Sequence, residues 1–225
     1  MSEYTCGFCG RSFRSERTLT AHLCVQKRRY RDRHTQVNQQ ALTLYQRFYE
    51  LNTVGRSTKT FDDFVRSQYY KAFVKLARHL QDLRPVEPER YADWLFQNNI
   101  KERQWCADRT YEQYVVYLLG SENPQRALER SIVTMDHWCS ENTVPLAEFF
   151  VSVPGNTATQ MIRYGRLSPW VLYLADSSDH LWNRLTEEQA DIIAAVIDPQ
   201  VWRRKLETQR QHREFVKQML DEAQL

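Results

Sequence analysis

Residues Tyr4–Cys24 read YTCGFCGRSFRSERTLTAHLC, with Tyr4, Cys6, Cys9, Phe13, Leu19 and His22 spaced Y-x-C-x2-C-x3-F-x5-L-x2-H. Two thiols separated by two residues form a knuckle that can grip one metal ion, and a histidine follows after a further twelve-residue gap. The outline is that of a zinc site. A stretch of about 25 to 30 residues cannot bury enough apolar surface to offset its chain entropy, so a bound metal supplies the deficit, roughly 10 to 16 kcal/mol. Tyr4, Phe13 and Leu19 are then its whole apolar core. Ser15 is placed to cap a helix running through Glu16 and Leu19 to His22, and Gly7 and Gly10 loosen the backbone around the thiols.

These six positions resemble the two-Cys two-His zinc finger. The resemblance covers about a tenth of the chain and implies a β-hairpin followed by a helix around a zinc ion. The family's fourth ligand lies three to five residues beyond the histidine, where this chain has Gln26, Lys27 and Arg28, none a usual zinc ligand. The candidates are Cys24 and His34, with a three-ligand site as a further alternative. On a continuous helix residues two apart point about 200° away from each other, so His22 and Cys24 share an ion only if the helix ends there. His34 would need a long return loop. The expected set is Cys6, Cys9, His22 and Cys24, with His34 as the alternative fourth ligand.

Residues 1–34 hold eight basic side chains, Arg11, Arg14, Arg17, Lys27, Arg28, Arg29, Arg31 and Arg33, against the acids Glu3, Glu16 and Asp32, a local charge of +5. The other 191 residues carry −2. Residues Lys27–His34, KRRYRDRH, read as a linker that is either a solvated charge run or an arm for phosphates or acidic protein surfaces. The eight cations are the expected nucleic-acid contacts. Finger relatives read bases from positions that fall here on Ser15, Arg17, Thr18 and Ala21, and only Arg17 suits a bidentate guanine contact. One finger covers about three base pairs, so phosphate contacts should dominate and sequence selectivity should be weak.

From Gln36 onward the apolar residues recur at three- and four-residue intervals. Val37, Leu42, Leu44, Tyr45, Phe48, Tyr49 and Leu51 mark one helix; Phe64, Val65, Tyr69, Phe73, Leu76 and Leu80 mark another, predicted over 61–83 after a break at Val54–Thr58 that contains Gly55. Thr60 with Asp63 reads as a capping box, and Pro88, Asp108, Asn123-Pro124, Ser168, Thr186 and Asp198 open later helices. Residues 144–155 read as a loop, with a short strand at 149–153 as the alternative. Six glycines and seven prolines leave little room for strands and turns. The expectation is a mainly α protein: a finger and basic arm over 1–34, then an all-α domain of seven to ten helices over 35–225. The six tryptophans, all beyond residue 90, are expected in the core.

No phosphate loop, dinucleotide fingerprint, nucleophile elbow or paired-histidine metalloprotease motif is present, so no enzymatic activity and no catalytic residue are expected. Cys106 and Cys139 read as plain buried thiols. No apolar run approaches the 18 or so residues that span a bilayer, and a cytoplasmic location is expected. The H-x-C ending, the KRRY that comes after it and the later RLSPWVLY of Arg166–Tyr173 resemble small zinc-finger proteins of contractile-tailed bacteriophages. That resemblance implies host cytoplasm or virion as the location, and a part in replication, transcription or assembly. Two functions fit: a nucleic-acid-binding accessory factor holding DNA or RNA while the helical body engages a protein partner, or an assembly protein whose finger is a docking knob.

Overall fold

The computed structural model describes residues 4–52 and 58–225; the predicted break at Gly55 lies outside them. The described chain is mainly α, with 15 α-helices, three 3-10 turns and one two-stranded sheet. Thirteen of these α-helices lie beyond residue 35, more than the seven to ten expected there because several are single turns. The chain forms two compact units, Met1–Cys106 and Ala107–Leu225. The expected boundary at residue 34 thus falls inside the first unit.

At the N-terminus, Tyr4–Thr5 pairs antiparallel with Ser12–Phe13, in the register Tyr4 to Phe13 and Thr5 to Ser12. Helix Glu16–Ala21 comes next, capped by Ser15, whose hydroxyl accepts from the Thr18 amide. The KRRYRDRH segment is not a linker. Val25–Arg31 is helical, and it packs on helix Phe61–Arg66. The rest of the first unit is built on helix Gln36–Asn52, which lies against Tyr70–Leu83 and Pro88–Gln97. Phe48, Phe73, Phe96 and Trp105 meet ring to ring at centroid distances between 5.0 and 6.3 Å. The Trp105 indole N–H donates to the Ile100 carbonyl at 2.8 Å, so the aromatic core leaves its polar atom satisfied.

The helix predicted over 61–83 is two, Phe61–Arg66 and Tyr70–Leu83. Ser67 between them is extended, and its hydroxyl accepts from the Tyr69 amide at 3.1 Å. A serine that bonds its own backbone offers the chain an alternative to helix, even where the apolar period continues. The Thr60–Asp63 capping box forms as expected.

The second unit packs Asp108–Ser121, Pro124–Asn142, Gly155–Arg163 and a series of shorter helices around Tyr114, Leu118, Phe149, Phe150, Ile162 and Trp170, all fully buried. Asn123, Ser168, Thr186 and Asp198 cap the helices after them with their side chains, but Ala107 occupies the cap expected of Asp108, which is the first helical residue. Residues 146–152 are neither loop nor strand: a 3-10 turn runs into a one-turn helix. Phe149 and Phe150 are both buried, which the alternation of a half-buried strand would forbid. Helix Gly155–Arg163 ends in a Schellman motif, with Gly165 at φ +71° and the Arg166 amide donating to the Met161 carbonyl at 2.8 Å. A Cβ at Gly165 would also sit 3.1 Å from Val115.

One buried polar chain ties this unit together. Glu122, its side chain 1% exposed, receives Arg130 at 2.5 Å and the Ser168 hydroxyl at 2.8 Å; the Ser168 amide in turn donates to Ser131. Ser168 belongs to the RLSPWVLY stretch, whose Trp170 is completely buried. Removing one member of a buried ion pair strands the other charge. Glu122→Ala should therefore lower stability by about 3 kcal/mol in urea unfolding, and a loss below about 1 kcal/mol would show that the pair is not structurally required.

Candidate metal centre

The knuckle is set by the backbone. The Cys6 amide donates to the Arg11 carbonyl at 2.9 Å and the Gly10 amide to the Cys6 carbonyl at 2.8 Å, which turns both thiols to one side. Gly10 sits at φ +72°, the left-handed region where glycine has no Cβ penalty. Helix Glu16–Ala21 then carries His22 up to them. The His22 ring packs on Phe13, centroids 4.7 Å apart, and its Nε2 lies 3.3 Å from Cys9 Sγ.

The fourth position is closed by a change of backbone conformation. His22 ends its helix at φ −70°, ψ 120°, and Cys24 begins the next at φ −74°, ψ 166°. Both are extended, and in extended chain residues two apart point the same way. The 200° divergence of a continuous helix is thereby removed. Leu23, between them, faces out and is 44% exposed. Cys6, Cys9, His22 and Cys24 bring their ligand atoms within 4.8 Å of one another, whereas His34 is exposed and its ring accepts from Arg33 Nε at 2.9 Å. Of the two candidates for fourth ligand, Cys24 is the one that meets the other three.

This cluster can hold a metal ion. Three thiols and an imidazole form a soft donor set of the kind that selects zinc, and a tetrahedral zinc site with ligand bonds of about 2.0 to 2.3 Å has donor separations of about 3.6 to 3.8 Å. The donors lie within 4.8 Å of one another, with Cys9 Sγ and His22 Nε2 3.3 Å apart, so the four are gathered at the scale of a single ion. Backbone N–H groups of Cys9 and Phe8 hold the Cys6 thiol below its usual range. At Cys9 the Arg11 amide acts in the same sense but is outweighed by lost solvation and by the thiols of Cys6 and Cys24, so that thiol is raised. Crowded thiols resist successive deprotonation, and a bound cation removes that resistance. Cys106 and Cys139 lie apart from this group, both raised by burial.

The eight cations separate into two sets. Arg11, Arg14, Arg17, Arg28, Arg31 and Arg33 are exposed; Arg11 lies over the Phe13 ring at 5.6 Å, and Arg31 makes only a loose contact with Asp32 at 3.7 Å. Arg29 turns instead to the helical body. Its guanidinium stacks 4.1 Å over the Tyr70 ring and donates to the Val65 carbonyl. Lys27 is half-buried and donates to the His22 carbonyl at 3.3 Å. Beside Arg29, Tyr30 bridges Phe8 of the knuckle, at 5.0 Å, to Phe61 of the body, at 5.3 Å. Sequence reasoning missed these docking contacts. The only signal for them was a lone aromatic in a charge run, with a second at the tip of the knuckle.

No family model, curated protein or solved structure matches this chain. Among the described residues no helix is long and apolar enough to cross a membrane.

Cys24→Ser should weaken metal retention by on the order of 100-fold in a competition assay with a chromogenic chelator, and His34→Ala by less than about twofold. The reverse order would move the fourth ligand to His34.

Proposed function

We propose that the Cys6–Cys9–His22–Cys24 cluster binds zinc and that the folded finger presents a cationic surface to DNA or RNA, the protein acting as a nucleic-acid-binding accessory factor. The observation that carries this reading is the coexistence of a closed ligand set with six exposed arginines around it, on one short element fixed to the helical body. Zinc supplies the folding free energy that the half-exposed Tyr4, Phe13 and Leu19 cannot. Phosphates take the exposed guanidiniums, so affinity falls steeply with salt and carries little sequence information. Arg17, on the outer face of the finger helix, is the one side chain suited to a guanine edge.

The helical body is the proposed seat of a protein partner, supported by exposed Val116, Tyr117, Val133 and Val151 in the second unit. No catalytic role is assigned. A second reading, in which the finger is a protein-docking knob within a larger assembly such as a phage particle, is favoured by Leu23 and Val25, 44% and 54% exposed beside the ligand set.

Arg28, Arg31 and Arg33 replaced together by glutamine should reduce the slope of log K against log salt by about two to three for a short duplex or single strand. Arg29→Gln should instead lower stability and leave the slope within about one of the parent. An unchanged slope in the triple variant would remove this helix from the interface and favour the docking-knob reading.

A further inference from the structure

The acidity of the second unit is local. Residues 107–225 hold 12 basic and 17 acidic side chains, a charge of −5. Within them, residues 175–198 hold six acids, Asp176, Asp179, Glu187, Glu188, Asp191 and Asp198, against the single cation Arg184, and so carry the whole −5; the rest of the unit is neutral. Arg184 turns to the main chain. Its guanidinium donates to the carbonyls of Phe150 and Val153 at 2.6 and 3.1 Å, and its Nε to the His180 carbonyl at 2.9 Å.

Part of this segment walls an open surface cleft of about 850 Å³, lined by residues 172–176 together with Asp179, Trp182 and Pro199. Two aromatic rings stand in it. Tyr173 and Trp182 are nearly parallel, 21° between planes and 6.0 Å between centroids, and the Trp182 indole N–H donates to the Leu172 carbonyl at 3.2 Å, which orients that ring. Burial, with a smaller contribution from Asp198, pushes the Tyr173 hydroxyl up, so the phenol keeps its proton. The carboxylates that line the cleft retain charge. Asp179 makes no ion pair within 4.0 Å among the described residues. Asp176 is 86% exposed even with Lys217 at 2.6 Å, and that lysine is shared with Asp221 at 3.0 Å.

We propose that this cleft docks an arginine-bearing segment of a protein partner, a guanidinium lying against Tyr173 and Trp182 and bonding the carboxylates of Asp179 and Asp176. Charge complementarity selects the occupant: the acids repel a phosphate backbone and attract a cation. Arginine suits the walls better than lysine, because its planar, weakly hydrated head can lie on a ring while its edge donates to a carboxylate. The chain already uses this pairing internally, where Arg29 stacks over Tyr70 and donates to a carbonyl. A metal ion is a poorer fit, since the cysteine and histidine cluster of the finger is the only gathered ligand set among the described residues. The cleft is also far larger than one arginine side chain, so it has room for the neighbouring residues of a peptide. It lies wholly within the second unit and requires nothing of the finger.

The test titrates the zinc-loaded full chain into a fluorescein-labelled, end-capped peptide of arginines alternating with glycines, and follows anisotropy at low salt. Saturable binding is expected. Asp179→Asn should weaken it about 3- to 10-fold, and Tyr173→Leu about 2- to 5-fold, the worth of one exposed cation–π contact. Glu188→Gln, the same charge change in the same acidic segment but outside the cleft lining, should alter affinity by less than about twofold. Both Asp179 and Glu188 are exposed, so neither change threatens the fold. A lysine peptide of the same design should bind several-fold more weakly. Equal losses in Asp179→Asn and Glu188→Gln would reduce the effect to unspecific attraction and overturn the proposal. So would the absence of saturable binding below about 1 mM, or displacement of the labelled peptide by spermidine as readily as by unlabelled arginine peptide, which would make the cleft a small-amine site.

Discussion

Cys24 is the residue on which the N-terminal architecture depends, because it meets two demands with one backbone conformation. Its extended φ and ψ put its thiol on the same side as His22, completing the ligand set. The same conformation makes it the N-cap of helix Val25–Arg31, with its sulfur accepting from the Lys27 amide at 3.3 Å. A metal ion held by this cluster would therefore be bound by the same residue that starts the helix. A residue that satisfied only one of them would leave either an open site or an uncapped helix.

The helix that Cys24 caps takes its direction from that residue. Because it starts at Val25, Arg29 and Tyr30 arrive on the side that meets Tyr70, Val65 and Phe61, while Arg28 and Arg31, three residues apart, share the outer side. Tyr70 in turn donates its hydroxyl to Asn38 at 2.8 Å, and Asn38 donates to the Asp32 carbonyl at 2.9 Å, so the docking helix is tied at its far end as well. The basic segment is thus a shared element: part of its charge holds the N-terminal knuckle to the helices that follow, and the remainder faces solvent. A substitution at Cys24 would therefore reach both the Cys6–Cys9–His22–Cys24 cluster and the start of the helix that presents the cations.

The helical class and the ligand set were legible because they rest on local rules. The 3.6-residue period from Gln36, the Thr60–Asp63 box and the thiol and histidine spacing each act within a few residues. The misreadings arise where the local pattern is silent. Ser67 interrupts a helix whose apolar period continues through it. Phe149 and Phe150, adjacent and both buried, carry no period at all. Averaging conceals charge: a value of −2 spread over 191 residues hides the four exposed arginines of 203–213. The role of Arg29 depends on Tyr70, 41 positions away in sequence, and no local pattern announces such a contact.

Coordination of the metal by this chain is the central claim, and X-ray absorption fine structure at the zinc edge reads ligand type and distance directly. The sample is full-length protein purified without added metal and then loaded with one equivalent. Three sulfurs at about 2.3 Å and one nitrogen at about 2.0 to 2.1 Å are expected for Cys6, Cys9, Cys24 and His22. Two sulfurs with two nitrogens would place His34 in the site and separate the start of the docking helix from the metal, and a shell of light atoms alone would show that the cluster holds no zinc.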